Sequence, residues 1–397
     1  MVLERVAGAP LALAVGLPKV PALFGLDIML KKPLLIPNAA LYALLIYVAP
    51  AAAATRVSVG PANRTAERLL RLPIGFTTAL YVGFLYAILH VWAEVSDYRD
   101  LVVRLTLIAI MLTLSLNVIN GYMGEFSCSH PGFMALGAYC TSVFTLGMFV
   151  DTRFFGAALL PPSLGPVLFP VALVLGGCLA AAGALLVAIP SFRTRGDYLA
   201  IISLAFLFIV KSLIENLEYV RGPRGLSGQP DWANLPTVFA WTAVCVWSIN
   251  NFVRSTLGKA LNAVRDNEMA ADAMTVDTRR TKMVAFLFSA FWAGIAGGLF
   301  AHVLRYVNPG TFGIQNLAEV LAMVYFGGLN SVVGSVVGAV SINLLGEALR
   351  PLEIFKWIII PLLLILVMIY RPAGLLAFKD LDIGALFRPR TDSGGEV

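Results

Sequence analysis

The chain has 397 residues, of which 59% are hydrophobic and only 13% charged, with a mean hydropathy of +0.83 and a net charge of +6. A soluble domain of average composition carries about 25% charged residues, so this chain has too little polar surface to cover a globule in water. Several apolar runs reach the roughly 20 residues that a helix needs to cross a membrane. The composition therefore predicts an all-α, polytopic transmembrane helical bundle, and the charge distribution does not point to nucleic acid.

The apolar runs predict about ten or eleven spans. An N-terminal region, residues 1–99, holds two of them and a basic loop; a core follows over 100–378 and a tail over 379–397. Residues 9–30 are also apolar but contain three prolines, and they form either a further span or an interfacial segment. The predicted spans are 34–54, 74–92, 101–119, 131–150, 167–189, 198–216, 236–253, 283–303, 315–329, 333–349 and 357–370.

The basic residues are distributed unevenly between the two sets of alternating loops. One set, which includes residues 254–282 and the C-terminal tail, holds sixteen Arg and Lys residues, whereas the opposite set, which includes 217–235, holds seven. Arg and Lys favour the cytoplasmic loops of membrane proteins. We therefore expect the C-terminus and residues 254–282 to face the cytoplasm, and residues 217–235 to face the other side.

Residues 254–282 form a polar island between two apolar runs, far longer than the 2–8 residues that usually connect helices. Apolar residues recur within it at helical spacing, which predicts one amphipathic helix over 257–274 that docks onto a soluble motor protein. The apolar face consists of Leu257, Leu261, Val264, Ala271 and Met274, and the predicted charged contacts are Arg265, Glu268 and Arg279.

The sequence lacks the motifs for ATP binding, metal binding and catalysis. A phosphate-binding loop needs GxxxxGK followed by Ser or Thr, but the Gly258-Lys259 pair is followed by Ala260, so any ATP must be hydrolysed by another subunit. The three histidines and four cysteines are scattered without ligand spacing, and we predict no metal site and no catalytic residue. Three carboxylates, Glu215, Glu319 and Glu347, lie near span ends, where an interfacial position is favoured over an ion-coupling site.

Two Gly-rich polar stretches interrupt the apolar runs, at residues 120–125 and 327–331. Interrupted membrane helices tend to line a cavity, because their free backbone groups need water or protein partners. The alternative is that both stretches are plain tight turns. On the first interpretation, the residues that line a translocation path are Asn117, Asn120, Gly121, Tyr122, Gly327, Gly328 and Asn330.

An ordered series of motifs resembles the branched-chain amino acid ABC transporter permeases of the LivM type. The series covers roughly residues 100–378, and residues 1–75 carry none of its motifs. It comprises LSLNVINGYMGEFSCSHPGFMALGAYC (114–140), RTRGDYLAIISLAF (193–206), RGPRGLSGQP (221–230), GKALNAVRDNEMAADAMTVDTRRTKMVAFLFSAFWAGIAGGLFAH (258–302), MVYFGGLNSVVGSVVGAV (323–340) and RPAGLL (371–376).

The resemblance implies a subunit of a bacterial inner-membrane ABC importer. The implied partners are a second, LivH-like permease subunit, two cytoplasmic ATPases that use ATP and Mg²⁺, an extracytoplasmic solute-binding protein, and membrane lipid. The implied solutes are leucine, isoleucine and valine, and residues 254–282 are the implied ATPase-coupling loop. This chain itself then needs no cofactor and is a transport subunit without enzymatic activity.

Two alternatives and two departures remain. Related permeases for urea, short amides or aromatic acids share these motifs, so these solutes are alternatives within the same importer class. A stand-alone ion-coupled secondary transporter is the alternative from a different class of transport protein. The family usually has Gly where this chain has Thr275, which is expected to extend the coupling helix by removing its C-terminal stop. The chain also has Pro131 where Ala commonly follows the histidine, which puts the local loop geometry in question.

Overall fold

A computed structural model describes residues 74–151, 155–192, 198–350, 353–371 and 374–376. The described residues fall into two compact units. The first comprises residues 74–83, 344–350 and 353–359, and the second the rest. Some sequence predictions fall outside the described residues. They concern the predicted span at 34–54, the apolar stretch at 9–30, the first two arginines of the motif at 193–206 (Arg193 and Arg195) and the C-terminal tail.

All ten predicted spans from residue 74 onward coincide with helices. By length and composition, five helical stretches of the described chain are long and apolar enough to cross a membrane. The helices are α1 (Ile74–Ala93), α2 (Asp97–Asn117), α3 (His130–Phe149), α4 (Gly165–Ser191), α5 (Tyr198–Asn216), α6 (Leu235–Arg254), α7 (Thr256–Asp266), α8 (Glu268–Ala273), α9 (Thr278–Leu304), α10 (Ile314–Gly327), α11 (Val332–Ala348) and α12 (Glu353–Tyr370).

Short elements connect the long helices. A π-helix, Val118–Met123, continues α2, and a two-stranded antiparallel ladder joins β1 (Leu226–Ser227) to β2 (Tyr306–Val307). The remaining turns are 3-10 helices at Pro162–Leu164, Glu218–Val220, Gly222–Arg224 and Pro309–Phe312. The protein is therefore a multi-pass helical membrane bundle, and its described residues contain almost no sheet.

Helix α9 lies at the centre of the second unit, packed most extensively against α3 and α4. Glycines allow this close approach: a Cβ on Gly137 of α3 would overlap the backbone of Gly294 in α9, and one on Gly297 would overlap the carbonyl of Met134. In lipid, the hydrophobic effect does not drive helices together, so their association depends on van der Waals packing. Small residues let the helices approach closely enough for this packing. The GxxxG spacing of Gly294 and Gly298 thus serves packing between helices.

Pairs of buried polar side chains form hydrogen bonds between helices of this bundle. The Ser289 hydroxyl donates to the carbonyl of Ser115 at 2.5 Å, and His130 Nε2 lies 3.0 Å from that hydroxyl. His302 Nε2 likewise lies 3.0 Å from Thr145 Oγ1. Since lipid offers no alternative partners, such pairs satisfy groups that would otherwise be buried unpaired. These two histidines act as packing residues.

The β1–β2 ladder pairs the loop 217–235 with the chain that follows α9. These are two of the loops that the basic-residue pattern assigns to the same, extracytoplasmic side. A cleft of about 660 Å³ opens there, lined by Glu215, Glu218, Arg221, Arg224 and neighbouring residues. At the C-terminal end of α10, the carbonyl of Gly327 accepts a hydrogen bond from the backbone N–H of Leu376 at 2.9 Å.

Candidate functional site

The polar island, residues 254–282 and called the coupling segment below, contains two short helices where one was predicted. The break falls at Asn267, whose backbone is extended (φ −160°, ψ 104°) between α7 and α8. The Asn267 side chain accepts a hydrogen bond from the N–H of Ala270 at 3.0 Å, as an N-cap does. The prediction of a single helix over 257–274 is therefore wrong, because capping by Asn267 starts a new helix.

The predicted apolar face of the coupling segment also divides into two parts. Leu261, Val264 and Ala271 are 0%, 3% and 5% exposed and pack inside this chain. Met274, by contrast, is 77% exposed and Leu257 40%. The expectation that the whole face meets a partner is thus wrong, because its centre anchors the segment to its own bundle.

The sequence-based prediction did not include one exposed apolar residue of the segment, Met269. Met269 is 77% exposed, as much as Met274, although it lies off the predicted apolar stripe. Leu257 and these two methionines are the large hydrophobic side chains that the segment exposes. Arg279 is exposed on the first turn of α9.

A charge cluster ties the coupling segment to Glu125, two residues after the π-helix. The Lys282 ammonium lies 2.5 Å from Glu125 Oε1 and 2.9 Å from Glu268 Oε2, and the lysine side chain is 10% exposed. Glu268, predicted as a partner contact, therefore forms an internal ion pair while its side chain stays 53% exposed. Sequence reasoning missed the pairing of Lys282 with Glu125, since nothing in sequence spacing relates residues so far apart.

Arg265 provides a second connection to the same region. Its Nη1 donates to the carbonyl of Gly121 in the π-helix at 3.4 Å, and its Nη2 pairs with Asp266 at 2.8 Å. The aliphatic part of Arg265 covers Gly124, where an added Cβ would overlap it. Gly124 also has φ +76°, a conformation that favours glycine and that ends the π-helix. The residue predicted to contact a motor thus contacts the predicted translocation region.

Asn117 joins the two Gly-rich interruptions. Its Nδ2 donates to Ser335 Oγ at 2.6 Å and to the carbonyl of Ser331 at 3.0 Å, and its Oδ1 accepts from the N–H of Asn330 at 3.2 Å. Gly121 packs so closely that a Cβ there would overlap both Asn117 and the backbone of Asn330. Three of the predicted path residues are therefore in direct contact.

The other predicted path residues are packed within the bundle. Asn120 and Tyr122 are 7% and 2% exposed, and Asn120 Oδ1 accepts from the N–H of Ser127. Gly327 lies against the backbone of Gly334 and Gly338 of α11, while Gly328 has φ +128° in a tight turn. One interruption is thus a π-helix and the other a turn between two closely packed helices.

Thr275 does not extend α8, contrary to the expectation from sequence. Helix α8 ends at Ala273, and the N–H groups of Thr275 and Val276 donate to the carbonyls of Asp272 and Ala271 at 3.0 and 3.1 Å. These two bonds form a Schellman motif, which requires a left-handed residue at the first position after the cap. Thr275 has φ +65°, so a β-branched residue occupies a position that suits glycine.

We expect Thr275→Gly to stabilise the protein. Removing the β-branched side chain from a left-handed position relieves about 1–2 kcal/mol of steric conflict. The measurement is the apparent Tm of the detergent-purified protein, which rises in this variant. Thr278→Gly is the control, since Thr278 starts α9 with helical geometry and glycine lowers helix stability there. A Tm that falls in Thr275→Gly would contradict the strain argument.

Comparison with known proteins places most of the chain within one family. Residues 98–369 match the sequence model of the family described as "Branched-chain amino acid transport system / permease component". The chain is 32% identical over 310 residues to the high-affinity branched-chain amino acid transport system permease protein LivM of Escherichia coli, covering 69% of each chain. It is 31% identical over 314 residues, with the same coverage, to the LivM protein of Salmonella typhimurium. No solved structure gives a significant match.

Proposed function

Because the chain belongs to the family of branched-chain amino acid transport permease components, we propose that it carries leucine, isoleucine and valine across a bacterial inner membrane as a permease subunit of an ABC importer. Four partners complete this importer: a second, LivH-like permease subunit, two cytoplasmic ATPases that bind ATP and Mg²⁺, and an extracytoplasmic solute-binding protein. The family gives no support to a stand-alone ion-coupled carrier.

The coupling segment is the observation that supports ATPase docking. It presents Met269, Met274 and Leu257 to the surroundings while Leu261 and Val264 hold it against the bundle. Contiguous exposed apolar patches rimmed by polar residues mark protein interaction sites. An element anchored on one face and exposed on the other transmits a push from a partner into the membrane helices.

The orientation follows from the same assignment. If residues 254–282 meet the ATPases, they face the cytoplasm, as the sixteen basic residues of their set of loops indicate. The C-terminus is then cytoplasmic as well. The cleft beside the loop 217–235 opens toward the solute-binding protein.

Reconstitution tests the proposal. The complete complex in liposomes is expected to accumulate radiolabelled leucine only when ATP, Mg²⁺ and the binding protein are present, whereas this chain alone hydrolyses no ATP. A panel of valine, isoleucine, phenylalanine, urea and acetamide distinguishes the branched-chain assignment from its relatives. Accumulation driven by an ion gradient without ATP, or ATP turnover by the isolated chain, would overturn the proposal.

A further inference from the structure

Three parts of the chain meet around the end of α2: the coupling segment, the π-helix Val118–Met123 and the turn between α10 and α11. We propose that the π-helix and Asn117 form a relay that passes movement of the coupling segment to the α10–α11 turn, which makes Asn117 a positioning residue for transport. This inference rests on the proposed function, because it requires that ATPases move the coupling segment.

The first link joins the coupling segment to the π-helix. Arg265 reaches the carbonyl of Gly121, and its aliphatic part covers Gly124. Independently, Lys282 bridges Glu268 of the coupling segment and Glu125, which follows the π-helix. Two contacts from different points of the coupling segment therefore hold the same short stretch, so that stretch follows when the segment shifts.

The second link joins the π-helix to the α10–α11 turn. Asn117 uses both polar atoms of its amide here: Nδ2 donates to Ser331 and Ser335, while Oδ1 accepts from Asn330. Asn117 is 1% exposed, so each of these bonds is made away from water, where loss of a partner is costly. An apolar residue offers none of these bonds, and an aspartate offers no donor.

Close backbone contact reinforces the second link. Gly121 abuts the Asn117 side chain and the backbone N–H of Asn330, leaving no room for a Cβ. Any displacement of the π-helix along this direction therefore pushes the turn directly. The turn is held on another side by residues 374–376, since the N–H of Leu375 donates to the carbonyl of Phe326 at 3.2 Å.

The π-helix itself is a suitable moving part. Single-turn π-helices are uncommon and frequent at functional sites. Gly124 in its left-handed conformation closes the π-helix with a hydrogen bond to the carbonyl of Ile119.

The experiment compares Asn117→Ala with Asn343→Ala in the full reconstituted complex. Asn343 is a partly buried amide on α11 that donates to the carbonyl of Ala339 at 3.0 Å and lies 4.0 Å from Met323 Sδ of α10. Among the described residues it has no hydrogen bond to the α10–α11 turn, so it is a matched control outside the relay. We expect Asn117→Ala to keep its ATPase subunits and to hydrolyse ATP, but to move at least about tenfold fewer leucine molecules per ATP, a typical size for a lost coupling. The control keeps this ratio.

The outcomes separate the relay from the proposed function. An unchanged ratio of leucine to ATP in Asn117→Ala would overturn the relay, whereas absence of ATP-driven uptake in the parent complex would overturn the proposed function. Loss of the ATPase subunits from Asn117→Ala would also overturn the relay, since Asn117 would then serve assembly.

A distance measurement on the otherwise unaltered complex keeps the relay testable if Asn117→Ala fails to fold. Spin labels at Asp272 in α8 and Val333 in α11 are expected to hold one separation with and without ATP, while the distance from each label to Val91 of α1 changes. A change in the 272–333 separation on ATP binding would contradict a relay that moves both parts together.

Discussion

Lys282→Gln is expected to reduce transport at least tenfold by detaching the coupling segment from Glu125 beside the π-helix. The Lys282 ammonium lies between the carboxylates of Glu125 and Glu268, at 2.5 and 2.9 Å, and its side chain is only 10% exposed. Glutamine leaves these two carboxylates close together without a cation. Removing one partner of a buried ion pair costs about 3–5 kcal/mol, and the exposure of Glu268 places this case at the lower end.

The measurement is ATP-driven leucine uptake by the reconstituted complex, normalised to the amount of this chain. Arg280→Gln is the matched control, because Arg280 is an exposed basic residue two positions away on the same helix. Adding Glu125→Gln to Lys282→Gln removes one of the two stranded carboxylates and should restore part of the uptake. Parental uptake by Lys282→Gln alone would show that the cluster is dispensable.

The spans could be predicted from sequence because lipid selects for apolar runs of nearly fixed length. Ten runs placed in this way coincide with helices, including the short, Gly-rich ones at 315–329 and 333–349. The two interruptions were also recognisable, since Gly and Asn in an apolar run indicate an irregular backbone. That Asn117 joins them could not be predicted, because the contact depends on how α2 packs against the α10–α11 turn.

The coupling segment was predicted less completely. Helical periodicity reports that one face is apolar, but not whether that face meets the same chain or another protein. Leu261 and Val264 face inward and Met274 outward, although all three share the apolar pattern. The break at Asn267 had a local signal, since Asn favours N-caps, but an unbroken apolar period outweighed it. At Thr275 the local signal was misleading. A β-branched residue disfavours the left-handed backbone conformation, yet the surrounding structure holds Thr275 in it.

The second large effect is expected from the exposed apolar residues of the coupling segment. Met269 and Met274 are each 77% exposed in this chain and are the side chains that we propose to become buried against an ATPase. Full burial of a methionine contributes about 1.5–3 kcal/mol, and aspartate at the same place adds the cost of desolvating a charge. Each 1.4 kcal/mol changes a dissociation constant by about tenfold.

The double variant Met269→Asp/Met274→Asp therefore separates docking from folding. Both side chains already face water in the isolated chain, so aspartate leaves its folding and its Tm close to the parental values. Leu261→Asp cannot serve this purpose, because Leu261 is fully buried and a charge there disrupts the bundle itself. Leu159→Asp is the control, since Leu159 is 74% exposed on a loop of the opposite set.

Co-purification of the ATPase subunits with the Met269→Asp/Met274→Asp variant tests the central claim, that the coupling segment is where the motor docks. The account predicts less than about a tenth of the parental amount of ATPase on a permease of unchanged Tm, with full recovery on Leu159→Asp. Parental amounts of ATPase bound to the double variant would contradict the claim and place the docking site elsewhere on the chain.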